Sequence, residues 1–395
     1  MRILDEVPSP LGLALFQACR DVLLWALAAP AERGALFAEA LDGRPAPPWY
    51  VDPAGEKELA APLAVFGALV ERPGAAQRGK IAAACSEVAG WASIRGYGAT
   101  EAEFARLAAV VSPKDPELAF AAGRSARRLA RYESAAEWFG RAIGLARRAG
   151  NEAAYATAYL GWGLMEEQRG RRERARSRFV RAWRAGERGG LRTLAAAARH
   201  NLIALSVPDR PFDEGQGHVI AAYKLYGRGN PALARLAADA ACFWTWHGYH
   251  SAALPLFEAA LPLIDRVPDR LQVLANIGRA AAATGRADRF REVWEEVGAV
   301  MDRGGEFVPW VLIDLAHGAH TLGQRRLALH LADEAVRQAG SRGQAGASEA
   351  ASAIHQTARE AGPGDADRVP PESIPPFAGH FITRLRALSD DAPSP

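Results

Sequence analysis

The feature that most limits what this chain can fold into is a spaced pattern of small and bulky residues. An alanine, three residues, a bulky apolar residue, two residues and a second alanine occur at Ala135–Phe139–Ala142, Ala175–Phe179–Ala182 and Ala253–Phe257–Ala260. A variant stands at Ala328–Ala332–Ala335, and weaker copies at Gly215–Val219–Ala222 and Phe290–Trp294–Val297. The first positions, 135, 175, 215, 253, 290 and 328, follow one another at 40, 40, 38, 37 and 38 residues. A glycine precedes each strong copy by a few positions, at Gly170, Gly248, Gly285 and Gly323. Small residues let two antiparallel helices approach, the bulky residue fills the hole between neighbouring pairs, and glycine allows the turn. One such pair cannot bury its apolar face, whereas stacked pairs make a continuous core. The spacing therefore predicts an all-α solenoid of about six helix-turn-helix repeats.

Composition agrees. Alanine is abundant and β-branched residues are scarce, which favours helix. Apolar residues make up 49% of the 395 positions, enough for a full core. The set Gly163, Gly170, Ala175, Phe179 and Ala182, with its counterparts, resembles the tetratricopeptide repeat family. The family period is 34 residues, so these repeats are about one helical turn longer. The resemblance implies a right-handed α-solenoid over residues 113–361, and binding of a protein or peptide rather than catalysis. Residues 1–112 are expected to be a helical N-terminal region, with a degenerate repeat at 75–112. Its helices are expected at Pro10–Ala29, Ala31–Leu41, Glu56–Glu71, Ala75–Arg95 and Thr100–Val111, with Thr100 and Glu103 as a capping box. Prolines mark Gly43–Pro53 and Gly362–Pro376 as loops. A closing helix at Ala347–Ala361 and a short amphipathic helix at Phe377–Leu388 complete the reading, the latter in a Pro-rich tail, residues 362–395.

A net charge of +3 gives no bulk drive toward nucleic acid. Cys19, Cys85 and Cys242 are far apart and in apolar surroundings, which suits buried thiols in a reducing compartment. Asp5 and Glu6 stand where a secretory leader carries basic residues, and Arg20 with Asp21 interrupts the apolar run at Leu11–Ala29. A cytoplasmic chain with no membrane span is the expectation.

Four clusters invite a functional reading. Arg169–Arg188 holds nine arginines against Glu173 and Glu187, and Arg171, Arg174, Arg178 and Arg181 could form a patch for an acidic protein. The competing reading is a solvated helix face in an Arg-biased chain. Base-stacking aromatics are not interleaved there, which weighs against nucleic acid. Trp244, Trp246 and Tyr249 could anchor a peptide, although core packing between repeats competes and two residues two apart on a helix cannot face the same way. His200 and Asn201, on a predicted first helix, could hold a ligand backbone. His247–His250 and His317–His320 share the i, i+3 spacing, yet no cysteine or carboxylate completes a metal set, so packing is the better account and no metal is expected. No phosphate loop, nucleophile elbow or carboxylate pair is present, so neither catalysis nor a cofactor is expected. Two other roles fit the same fold. One is a peptide-responsive transcriptional regulator with a helix-turn-helix at Ala82–Ala109, where Trp91 suits a core better. The other is a structural subunit of a larger complex.

Overall fold

The computed structural model describes residues 2–37, 56–206, 211–360 and 377–390. The chain is all-α and divides into two compact units, Met1–Ala198 and Arg199–Pro395. Among the described residues no helix is long and apolar enough to cross a membrane.

Unit 1 begins with the helices α1 (Ile3–Glu6), α2 (Leu11–Leu27), α3 (Ala60–Glu71), α4 (Arg78–Arg95) and α5 (Gly98–Val111). They enclose one core containing Trp25, Phe66, Cys85, Trp91 and Phe104. Trp91 is buried and donates its indole N–H to Glu56 at 2.8 Å. α4 and α5 are thus a helical hairpin closed at Gly96 (φ +77°). The expected helix at 31–41 is instead a single 3-10 turn, Arg33–Ala35, followed by Phe37 at φ +68°. The rest of that segment, and both proline-rich stretches, lie outside the described residues.

The capping box at Thr100 is also corrected. α5 begins two residues earlier, and its first turn is capped from a distance. Glu6 accepts the backbone N–H of Ala99 (2.7 Å) and Thr100 (2.8 Å), and the Thr100 hydroxyl (2.9 Å). A carboxylate at a helix N-terminus satisfies orphan donors and meets the positive end of the dipole.

The repeats follow as helix pairs. Unit 1 carries α6 (Pro116–Arg128) with α7 (Tyr132–Ala149), then α8 (Glu152–Gln168) with α9 (Arg172–Arg188). The third pair is α10 (Arg192–Ala204) and α11 (Phe212–Tyr226). Unit 2 continues with α12 (Ala232–Trp246) and α13 (His250–Ala260), α14 (Val267–Ala283) and α15 (Ala287–Gly298), and α16 (Val308–Thr321) and α17 (Arg325–Ser341). α18 (Ala345–Glu360) packs on the last pair, and α19 (Ala378–Asp390) returns to lie on α13. Within a unit, first helices pack on first helices: α6 on α8, α12 on α14, α14 on α16.

The spaced pattern explains this packing. Phe139, Phe179 and Phe257 are fully buried, as are the alanines around them. A Cβ added to Gly163 would lie 2.4 Å from the Phe179 ring, and one at Gly123 would lie 2.8 Å from the Phe139 ring. Each ring therefore occupies the space a side chain would need. In the fifth pair the ring has moved. Phe290, at the position alanine holds in the strong copies, fills the hole beside Gly318, and Trp294 is only half-buried. Asp115 and Asn151 cap α6 and α8, accepting the N–H of Glu117 at 2.8 Å and of Ala154 at 2.9 Å.

Candidate functional site

In unit 2 the first helices present one common face, and polar residues recur on it one repeat apart. Asn201 on α10, Asp239 on α12, Asn276 on α14 and Asp314 on α16 form the row. The spacing i, i+3 or i+4, i+7 brings Asp239, Cys242 and Trp246 onto one side of α12. It does the same for Gln272, Asn276 and Arg279 on α14, and for Trp310, Asp314 and His317 on α16.

Side chains of neighbouring helices are tied across this face. His200 Nε2 donates to Asp239 Oδ2 at 2.7 Å, and its Nδ1 lies 3.4 Å from the Tyr226 hydroxyl. Asp314 receives Gln272 Nε2 at 2.7 Å, Asn276 Nδ2 at 3.2 Å and Arg279 Nη1 at 3.1 Å. Burial raises the Asp314 carboxyl above its ordinary value, although Arg279 and the two amides oppose that. Burial, with Arg279 nearby, pushes His317 down to about 3 and His250 to about 4, so both rings are neutral at pH 7. Cys242 is driven well up by burial and by the Asp239 and Asp314 charges, which keeps it a thiol.

A cavity of about 230 Å³ opens on this face. Ala234, Ala238, Cys242, Val273, Ile264 and Phe307 make its apolar wall, and Arg235, Asp239, Asp269, Gln272 and Asn276 are among its polar groups. Arg235 stands 3.9 Å from both Asp239 and Asp269. Trp246 continues the face past Cys242, 59% exposed, with the Arg279 guanidinium 5.0 Å from its ring centre. Among the described residues no group of three His, Cys, Asp or Glu side chains could hold a metal ion.

The residues singled out in the sequence fall in different places. His200 and Trp246 belong to this face, and Asn201 holds the repeat register of Asp239. Trp244 does not: it is fully buried and donates its indole N–H to Gln216 at 2.8 Å, so no partner reaches it. Tyr249 packs against Phe212 at 4.6 Å, where α11 meets the α12–α13 turn. The arginines lie in unit 1. Arg178 sits over Trp162 at 4.0 Å, Arg181 donates to the Tyr159 hydroxyl at 3.0 Å, and Arg171 is 3.6 Å from Glu166. Arg178 and Arg181 hold α9 to the aromatic side of α8; Arg178 is half-buried there, whereas Arg171, Arg174 and Arg181 keep exposed positions. Asp239, Asn276, Arg279 and Asp314 were not foreseen. The signal for three of them was present, since extending the repeat register from Asn201 leads to Asp239, Asn276 and Asp314 in turn, with Arg279 one helical turn past Asn276.

No protein-family model matches the sequence, and no curated protein matches it. Among solved structures the chain is similar to a signal transduction ATPase with numerous domains (STAND) protein with a tetratricopeptide repeat sensor from Pyrococcus horikoshii. The identity is 13% and the TM-score 0.52, over 83% of this chain and 52% of that one, so the chain spans about half that protein's length. A Rap protein complexed with competence and sporulation factor is also similar, at 9% identity and TM-score 0.37 over 88% of this chain and 97% of that one. With the first of these likenesses, the paired helices and their buried rings make the fold a tetratricopeptide-like helical repeat.

Proposed function

We propose that this chain is a non-catalytic binding protein of the tetratricopeptide class, which holds an extended peptide segment of a partner on the first-helix face of unit 2. The observation that carries the reading is the polar row beside an apolar cavity. Amide and carboxylate side chains repeated along one face suit the repeating N–H and C=O groups of an extended main chain. The cavity is of a size for one apolar side chain, and Trp246 offers a second anchor at its far end. His200, Arg279 and Gln272 hold the row in place, so little side-chain freedom is lost on binding. The carboxylates Asp239, Asp269 and Asp314 each meet a histidine or arginine partner here, which supports recognition over acid–base chemistry.

Panning a random-peptide display library on the full chain tests this. Enriched sequences should carry an apolar residue at a fixed position. Asp239→Lys, Trp246→Ala and the cavity-filling Ala238→Trp should each weaken a selected synthetic peptide by about tenfold or more, about 1.4 kcal/mol. Arg174→Glu in unit 1 should leave it unchanged. Enrichment no better than on a bare support, or peptides indifferent to all three changes, would sink the idea.

A further inference from the structure

Unit 1 contains a larger cavity that the peptide reading does not use. It lies between α3 and α4, has a volume of about 360 Å³, and falls inside the range of roughly 300–1,000 Å³ usual for small-molecule sites. Its long wall is apolar. Ala64 and Ala68 lie one turn apart on α3 and are exposed, with Val65 and Leu69 beside them and Ile81 on α4 behind. The small side chains leave the space open.

Among the described residues the ionisable groups of this cavity have one sign. Arg72, just past the end of α3, and Lys80, in the first turn of α4, both line it, and no described carboxylate does. Both cations lie near the α3–α4 connection, so the cavity is basic at that end and apolar along α3. The first turn of α4 adds to the positive field, since it holds no acidic residue and Gln77 does not cap it. A neutral occupant would leave this charge unanswered, and a cation would be repelled.

We infer that the α3–α4 cavity binds a small amphipathic anion, with its apolar body along Ala64, Ala68 and Ile81 and its carboxylate, sulfonate or phosphate against Arg72 and Lys80. Arg72 can meet such a group through two parallel N–H donors, while Lys80 acts as a point charge. The inference is independent of the peptide site, because the cavity and the groove share no residue.

The test uses the full chain and two naphthalene dyes of similar shape, anionic 8-anilinonaphthalene-1-sulfonate and uncharged N-phenyl-1-naphthylamine. The anionic dye should bind at one saturable site in unit 1. Arg72→Glu with Lys80→Glu, both at exposed positions, should weaken it at least tenfold and leave the uncharged dye within about twofold. Ala68→Trp should remove both dyes, and Trp246→Ala should change neither. The inference is overturned if charge reversal leaves the anionic dye bound as before, if it weakens both dyes equally, or if a folded Ala68→Trp variant still binds them. Sedimentation with phosphatidylglycerol vesicles separates a lipid surface from a free ligand. Charge-dependent sedimentation without the saturable dye site would place the anion in a membrane and reject the free-ligand assignment.

Discussion

Ala130 occupies the turn of the first repeat at φ +55°, where the later repeats have Gly170, Gly248, Gly285 and Gly323. The Arg131 N–H returns to Ala126 O at 2.9 Å, the same closing bond that Arg171 makes to Glu166 O at 2.8 Å. An L-residue in this region costs roughly 1–2 kcal/mol, part of which glycine gives back through its freer unfolded chain. Ala130→Gly should therefore raise the unfolding free energy by about 1 kcal/mol, read as a higher urea midpoint at unchanged slope. A lower midpoint would mean that the alanine methyl contributes packing worth more than the strain. At this scale the sequence is legible where chemistry is local. That Trp244 and Trp246 point apart follows from two-residue spacing on a helix. Which of them points inward does not, because that depends on which helices pack around α12.

Among the elements, α19 shows how far a pattern can lead. Its amphipathic face is readable from the sequence, but its destination is not. Phe381 and Leu385 are fully buried against unit 2, Tyr223 of α11 lies edge-on to Phe381 at 4.8 Å, and His380 Nε2 is 3.1 Å from the Tyr223 hydroxyl. Truncating a buried phenylalanine costs about 3–5 kcal/mol. Phe381→Ala should thus release α19 and raise hydrogen exchange in α11 and α13, while α14 to α17 keep their protection. Protection that fell evenly through unit 2 would argue against a locally docked helix. The repeats were legible for the opposite reason. Each buried ring faces a glycine or alanine at fixed spacing, so the packing rule recurs inside a window of about 40 residues. The Glu6 cap on α5 and the 3-10 turn at Arg33 have no such local signature.

For the molecule as a whole, acid should act through unit 2. Two of its histidines, both partly buried, titrate lower than in an unfolded chain, where the ring has a pKa near 6.5. Burial takes His317 down to about 3 and His250 to about 4. Folded chains stay neutral there while unfolded chains take up protons. The stability from each ring is therefore complete above pH 6.5 and is lost as pH falls toward those folded values. The slope is at most about 1.4 kcal/mol per pH unit for each histidine. Urea unfolding at pH 7 and pH 5 should show unit 2 weakening, and His250→Gln with His317→Gln should flatten that dependence. An unchanged slope in the double variant would assign the acid response to other groups.

The cap that Glu6 places on α5 has a consequence for how the protein is made. Its acceptor residue leaves the ribosome first, and its donors, 93 and 94 residues later, follow only after α2, α3 and α4 have been synthesised. At roughly 5–20 residues per second the wait is on the order of 5–20 s. Through that interval the nascent N-terminal helices have no closing partner, and their apolar surface is open to chaperones.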